Sequence, residues 1–472
     1  MAPCEPTSAT GEVKDRHWKL DVRAARPHWE PARLPPLAVH GSNAAVLGDF
    51  IAIAGGGRRH GALSAVAWTD TSDSELASSL KQAQQSRDVS SMSCKDAFTF
   101  GIEKEYFLVR LSTGALVSDP PAGMLERCKS ELDKQFASEY QRSQIEVATK
   151  VCETISDARA DLARLRSAIA AIANEHGLAP MAASTHPFTP WSTQRHTDKQ
   201  RYRAIADDLK GLGKRMVVGG MHLHVGIEDR EQRIGVMNDI RAFLPLLLAL
   251  STSSPFWQGE NTGLKSYRTA VNDTTPRSGI PERFESWNDY CATLAPLVRS
   301  GVIEDGTKIW WDLRPSARFP TLELRITDIC PLIDDALCIA ALFRCLCRHL
   351  CRRPRDGLQM FNWPLLLLNE NRWRAQRYGL QHGFVSPCRD DLVSSAELLD
   401  ELLDLIGEDA VYFDSRDEVD HARAILARGT SADRQIALYR QEVERGAAPR
   451  DALRTVVSEL VAETIGSQRR NG

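Results

Sequence analysis

Three short stretches set acids, imidazoles or an acid and a guanidinium two residues apart, and a fourth adds a lone acid: Glu103 and Glu105 in "GIEKEY", His222 and His224 in "GMHLHVG", Glu323 and Arg325 in "TLELRITD", and Glu146 in "QIEVA". Successive side chains of a strand point to opposite faces. Ile102 and Lys104 therefore turn away from Glu103 and Glu105, and Leu322, Leu324 and Ile326 turn away from Glu323 and Arg325, which Thr321 and Thr327 flank. Taken alone, "TLELRITD" reads as an ion pair on a solvated sheet, which adds little stability. Four carboxylates and two imidazoles on candidate faces ask for more, because buried like charges repel strongly. A hard divalent cation removes the objection: Mg²⁺ takes carboxylate oxygens, tolerates a histidine and keeps positions open for phosphate.

Zinc is the competing metal, since a His-x-His pair can begin a zinc site, but such sites need further His or Cys ligands. His349 and His421 fall in helical stretches and His382 follows a loop. Cys338, Cys345, Cys347 and Cys351 lie in an apolar helical pattern and read as core thiols. The arginines suit anions better. Arg268 follows "GLKSY", Arg314 ends "WWDLR", Arg318 lies in a turn, and Arg325 shares a face with Glu323. Guanidinium matches polyphosphate and carboxylate bidentately. A phosphate loop of the Gly-x-x-x-x-Gly-Lys type is absent, and "AGGGRR" lies in a stretch without periodicity.

The elements that must position these groups begin at Ala97. "AFTFGIEKEYFLVR", "SQIEVATKV" and "RMVVGGMHLHVGI" read as strands, and "KIWWDLRPS" with "FPTLELRITD" as a hairpin. Leu162, Leu165, Ile169 and Ile172 mark an amphipathic helix ended near Gly177, and one helical stretch is expected from Glu231 to Leu250, with Pro245 at a start or a kink. Helices are then expected over 334–349, 396–406, 419–427, 431–445 and 452–465. The fold class is α+β, an antiparallel-rich sheet with helices packed on the opposite face. Residues 1–96 are rich in Ala, Gly, Pro and Ser and are expected to be a disordered extension or the product of a misplaced start, with Met92 as an internal alternative; 97–472 form the catalytic domain.

The 59 Lys and Arg against 62 Asp and Glu argue against a nucleic-acid stripe. Eleven irregularly spaced cysteines and the lack of a long apolar segment fit a cytoplasmic protein with no membrane span.

In order, "GIEKEYFLV", "SQIEVATKVC", "STHPFTPW", "GGMHLHVGI", "SSPFWQGENTGLKSYR", "WWDLRPSARFPTLELRITD" and "NRWRAQRYGL" resemble the blocks of the family 2 glutamate–cysteine ligase group, the carboxylate–amine ligases of glutamine-synthetase-like fold. The resemblance runs from about Ala97 to Ile465. It implies ATP-dependent joining of a carboxylate to an amine through an acyl phosphate, with small amino-acid-like substrates and a homodimer. It also implies that Glu103, Glu105, Glu146, His222 and Glu323 hold Mg²⁺ or Mn²⁺, that His224 lies near ATP phosphate, and that Arg314 and Arg325 contact phosphates or the transferred phosphoryl group. Arg268 would bind the substrate carboxylate or stabilise charge, and Thr185 and His186 would belong to a substrate loop. Lys104 stands where the family often has an acid, turned from the metal face. A kinase of the same broad fold and a non-catalytic nucleotide-binding regulator are the rival readings.

Overall fold

The computed structural model describes residues 98–353 and 363–466 and four short strands nearer the N-terminus. The chain divides into two units, residues 1–94 and 95–472. In the first, His17–Asp21 pairs antiparallel with His28–Ala32, and Asn43–Leu47 with Phe50–Ala54. These ladders are local structure that the composition did not announce; the expected disorder of the remaining early residues, and the neighbourhood of Met92, lie outside the described residues.

The second unit is built on a seven-stranded sheet, antiparallel at every pairing. Its strands are β1 (Phe100–Arg110), β2 (Phe136–Ser138), β3 (Gln144–Ala148), β4 (Leu178–Met181), β5 (Met221–Gly226), β6 (Leu313–Pro315) and β7 (Thr321–Leu324). The order across the sheet is β6-β7-β5-β1-β3-β2, with β4 paired to the far end of β1. The expected hairpin is β6–β7, with Arg318 in its turn.

Alternation then sorts the side chains. Ile102, Tyr106, Ile145, Leu223, Leu322 and Leu324 enter one large core under the helices Ile155–Asn174 (α1) and Ile333–Arg352 (α5, numbered after those below). Thr154 caps α1 in a capping box with Asp157, and Gly177 follows it with a left-handed φ of 66°. Lys104 lies on this same core face, fully buried, its Nζ donating to the Cys330 carbonyl at 2.8 Å. Burial pushes its ammonium well below the usual lysine range.

Two expectations need revision. The stretch from Glu231 to Leu250 is two helices, Arg230–Ile240 (α3) and Leu244–Ser251 (α4), meeting at a 68° bend, with Pro245 in the first turn of α4, where a missing N–H costs nothing. Helices also pack on the site face of the sheet. Phe107 and Val109 bury there with Phe188, Leu453 and Val457, the last two from Pro449–Ile465 (α6). The unbroken apolar run Tyr106–Val109 is the mark of a strand covered on both sides. The helix Gln200–Leu209 (α2) lies beyond the β2 edge and borders the cavity described next. No single helix among the described residues is long and apolar enough to cross a membrane. The cysteines Cys338, Cys345 and Cys347 are buried in α5, as expected of core thiols.

Candidate active site

Strand register assembles the site. Glu103 lies opposite His222, His224 opposite Glu323, Glu105 opposite Glu146, and Arg314 opposite Glu323. Glu103 consequently meets both imidazoles: its Oε2 is 3.4 Å from His222 Nδ1 and its Oε1 is 3.3 Å from His224 Nε2. Glu103, His224 and Glu323 each offer one ligand atom within 4.8 Å of the others. Glu105, Glu139 and Glu146 form a second such group. Glu139 was not singled out from the sequence, yet a signal exists: Ala137 faces Glu146 across the β2–β3 hairpin, so a residue two positions on returns to that face.

The two groups differ electrostatically. Burial opposes the charged form of Glu103, but His222 and His224 override it and hold the carboxyl well below its ordinary range. Burial likewise opposes Glu323, which is 3% exposed, and Arg325 and Arg314 override it. In the Glu–Arg pair of "TLELRITD" Glu323 is thus buried and Arg325 half-buried, so the pair is not a solvated one. In the second group nothing compensates fully. Burial and the charge of Glu139 raise Glu105 to about 8, and burial followed by Glu139, Glu103 and Glu105 raises Glu146 well above its ordinary value. His222 is lowered to about 4 by burial and by Arg325. Three carboxyls pressed together against their own repulsion, and a buried His224 Nε2 that makes no hydrogen bond, fit a site for hard divalent cations.

Three guanidinium groups converge on this centre. Arg314 donates from Nε and Nη2 to the two Glu323 oxygens at 3.0 and 3.3 Å, and Arg325 donates to Glu323 Oε1. Arg268 is 4% exposed and is pinned by the carbonyls of Ile326 and Arg325 at 3.1 and 2.9 Å. Asp328 lies 3.9 Å behind it, held by Ser253 N–H and the hydroxyls of Ser254 and Ser266. Gly220 ties these parts together. Its N–H donates to Glu105 Oε2 at 2.8 Å, its backbone bridges to Asp328, and a Cβ there would stand 2.5 Å from Arg268 Nη2 and 2.9 Å from His222 Nε2.

A cavity of about 420 Å³ opens over this face, lined by both acid groups, His222, His224, Arg268, Arg314 and Arg325. Arg318, in the hairpin turn, reaches its rim. Thr185 and His186 do not line it. Thr185 Oγ1 donates to the Phe256 carbonyl, while His186 donates from Nε2 to the Gly114 carbonyl and accepts at Nδ1 from the N–H groups of Phe188 and Thr189. Both are buried loop organisers, and burial lowers His186 to about 4.

The sequence profile of the glutamate–cysteine ligase family 2 matches residues 99–457. A Rhodospirillum rubrum protein named "Putative glutamate–cysteine ligase 2" is 49% identical over 373 residues, covering 78% of this chain and 96% of its own length. A Paracoccus denitrificans protein of the same name is 45% identical over 366 residues, covering 78% and 97%. Among solved structures, a bifunctional glutathione synthetase from Pasteurella multocida aligns at TM-score 0.58 and 16% identity over 78% of this chain and 53% of its own. A glutamate–cysteine ligase from Francisella tularensis, solved with AMP, aligns at TM-score 0.57 and 14% identity over 79% and 93%. The chain belongs to the glutamate–cysteine ligase family 2 and is a carbon–nitrogen ligase with the α+β fold of that group.

Proposed function

We propose that this ligase joins a carboxylate to an amine with ATP as the activating substrate, through an acyl phosphate, releasing ADP and phosphate. The observation that carries this reading is the convergence in one cavity of two acid groups and three guanidinium groups, Arg268 buried and Arg314 and Arg325 half-buried. Magnesium or manganese fits the donors: Glu103, His222, His224 and Glu323 would hold one ion, and Glu105, Glu139 and Glu146 another. Bound there, the ions would neutralise phosphate oxygens.

Arg314 and Arg325 then grip the γ-phosphoryl group, where rigid donors stabilise charge as it moves. Arg268 orients the carboxylate, whose oxygen attacks the γ-phosphorus as ADP departs. The amine nitrogen next attacks the acyl carbon, and phosphate leaves with that carboxylate oxygen. His224, bonded through Nδ1 to Thr321 Oγ1 at 3.0 Å, leaves Nε2, 3.3 Å from Glu103, as the nitrogen that would meet the first ion.

The names of the relatives and the AMP in the Francisella enzyme support ATP, glutamate and cysteine as the first substrates to supply. Action in the cytosol as a homodimer belongs to the same reading. The test is incubation with magnesium, ATP and pairs of amino acids, followed by mass analysis. Amide formed in step with ADP supports the proposal; AMP formation, or a phosphorylated product without amide, overturns it.

A further inference from the structure

The cavity crosses the sheet from the β6 edge to the β2 edge, and its two ends differ in charge. At the β6–β7 end stand Arg314, Arg318 and Arg325, with Glu103 and Glu323. A divalent ion cancels those two acids, so this end is left positive. At the β2–β3 end stand Glu105, Glu139 and Glu146, a group made of carboxyls alone, where an ammonium finds acceptors and a phosphate finds no donor. Oppositely charged groups are steered to opposite ends of such a cleft. Polyphosphate is drawn to the first, and an amine arriving as ammonium to the second.

Past the second acid group the wall changes character. Tyr140, Tyr202, Ile205, Met216 and Val218 line it, every one half-buried. Tyr202 and Ile205 are three apart on α2 and so share a face. The Tyr202 hydroxyl donates to the Ser138 carbonyl at 2.9 Å, and its ring meets Tyr140 edge-on at 5.8 Å, which fixes the wall. Lys199, whose Nζ donates to the Ser138 carbonyl at 3.3 Å, stands at the exposed rim of the same end.

From acids, apolar wall and cationic rim in that sequence, we infer that the acceptor amine is an amino acid with a bulky apolar side chain. Its ammonium approaches the Glu105–Glu139–Glu146 group, its side chain covers Tyr202, Ile205 and Met216, and its carboxylate meets Lys199. The assignment rests on the ligase reading of the site and departs from the cysteine that the relatives' names suggest as acceptor.

Ligand-observed NMR with the full chain, magnesium and ADP tests it without requiring turnover. L-phenylalanine binds at least about tenfold more tightly than glycine, the gain expected for covering a side chain of that size. Ile205→Ala, on α2, removes most of that preference and leaves glycine affinity within about twofold. Phenethylamine, lacking the carboxylate, binds more weakly than phenylalanine. Glycine binding as tightly as phenylalanine in the wild-type protein, or Ile205→Ala weakening both equally, overturns the inference. A preference for phenylalanine without magnesium-dependent ADP formation sinks the ligase reading, keeping the pocket for a bulky apolar amino acid but removing its role as acceptor site. Amide formation from small amines, with no preference for phenylalanine, does the reverse.

Discussion

Gly220→Ala adds a single carbon at the point where the site is most crowded. The Cβ would stand 2.5 Å from Arg268 Nη2, 3.1 Å from Arg268 Cζ and 2.9 Å from His222 Nε2. Non-bonded heavy atoms rest at about 3.5 Å or more, so a shift of about 1 Å is required. Arg268 has little freedom to give way, because the Arg325 and Ile326 carbonyls hold its guanidinium and Asp328 lies behind it. Gly220 does not have a left-handed φ, so alanine is acceptable to the backbone and the clash alone is at issue. Overpacking of this kind costs about 1–3 kcal/mol of stability. The same 1 Å at a substrate-orienting group costs about 10²-fold in rate.

The assay is magnesium-dependent ADP release, with a thermal melt to confirm folding. Gly220→Ala should melt cooperatively and lose about 10²-fold in kcat/KM for the carboxylate substrate. In an Arg268→Ala background the larger part of that penalty should vanish, since the 2.5 Å contact is gone and only the one with His222 Nε2 remains. Near-normal activity of the single variant, or an undiminished extra loss in the double variant, would refute the argument.

Other perturbations probe separate parts. Glu139→Gln should leave the fold intact and raise the magnesium concentration for half-maximal ADP release by at least about tenfold, since a neutral amide oxygen replaces one of three anionic donors; an unchanged magnesium dependence counts against the second ion. Asp409 is buried on the far side, and although burial opposes its charge, His349, Arg352 and Arg348 lower it from 3.8 to about 2. A lowered carboxyl stabilises above its unfolded pKa and loses that contribution as pH falls from about 4 to 2, here about 2 kcal/mol in all. Acid titration of stability in Asp409→Asn should lack that component; an identical acid limb in both proteins would remove Asp409 from the account. A chain beginning at Met92 should fold and retain full activity, because every described residue of the site lies within residues 95–472; lost solubility or activity would show that the early residues contribute.

Much of the site was legible because strand alternation is local. Glu103, Glu105, His222, His224, Glu323 and Arg325 each sit one residue from a core-facing partner, and that pattern alone assigns their face. Lys104 turns inward for the same reason. What escaped depends on distant chain segments. Glu139 acquires meaning only when β2 folds back on β3, and Gly220 only when Arg268, 48 residues later, arrives beside its absent side chain. Thr185 and His186 mislead because a polar pair in a loop resembles a substrate contact, whereas here backbone groups take up their hydrogen bonds. The helical period from Glu231 to Leu250 survives in both halves, so periodicity does not reveal the bend between them.

Isotope transfer tests the central chemistry most directly. If Arg268, Arg314 and Arg325 serve attack of a carboxylate oxygen on the γ-phosphorus, that oxygen must leave with phosphate when the amine attacks. With ¹⁸O-labelled carboxylate substrate, the account predicts one labelled oxygen in inorganic phosphate for each amide formed, with ADP as the nucleotide product. Amide formed with unlabelled phosphate, or release of AMP and pyrophosphate, would contradict it.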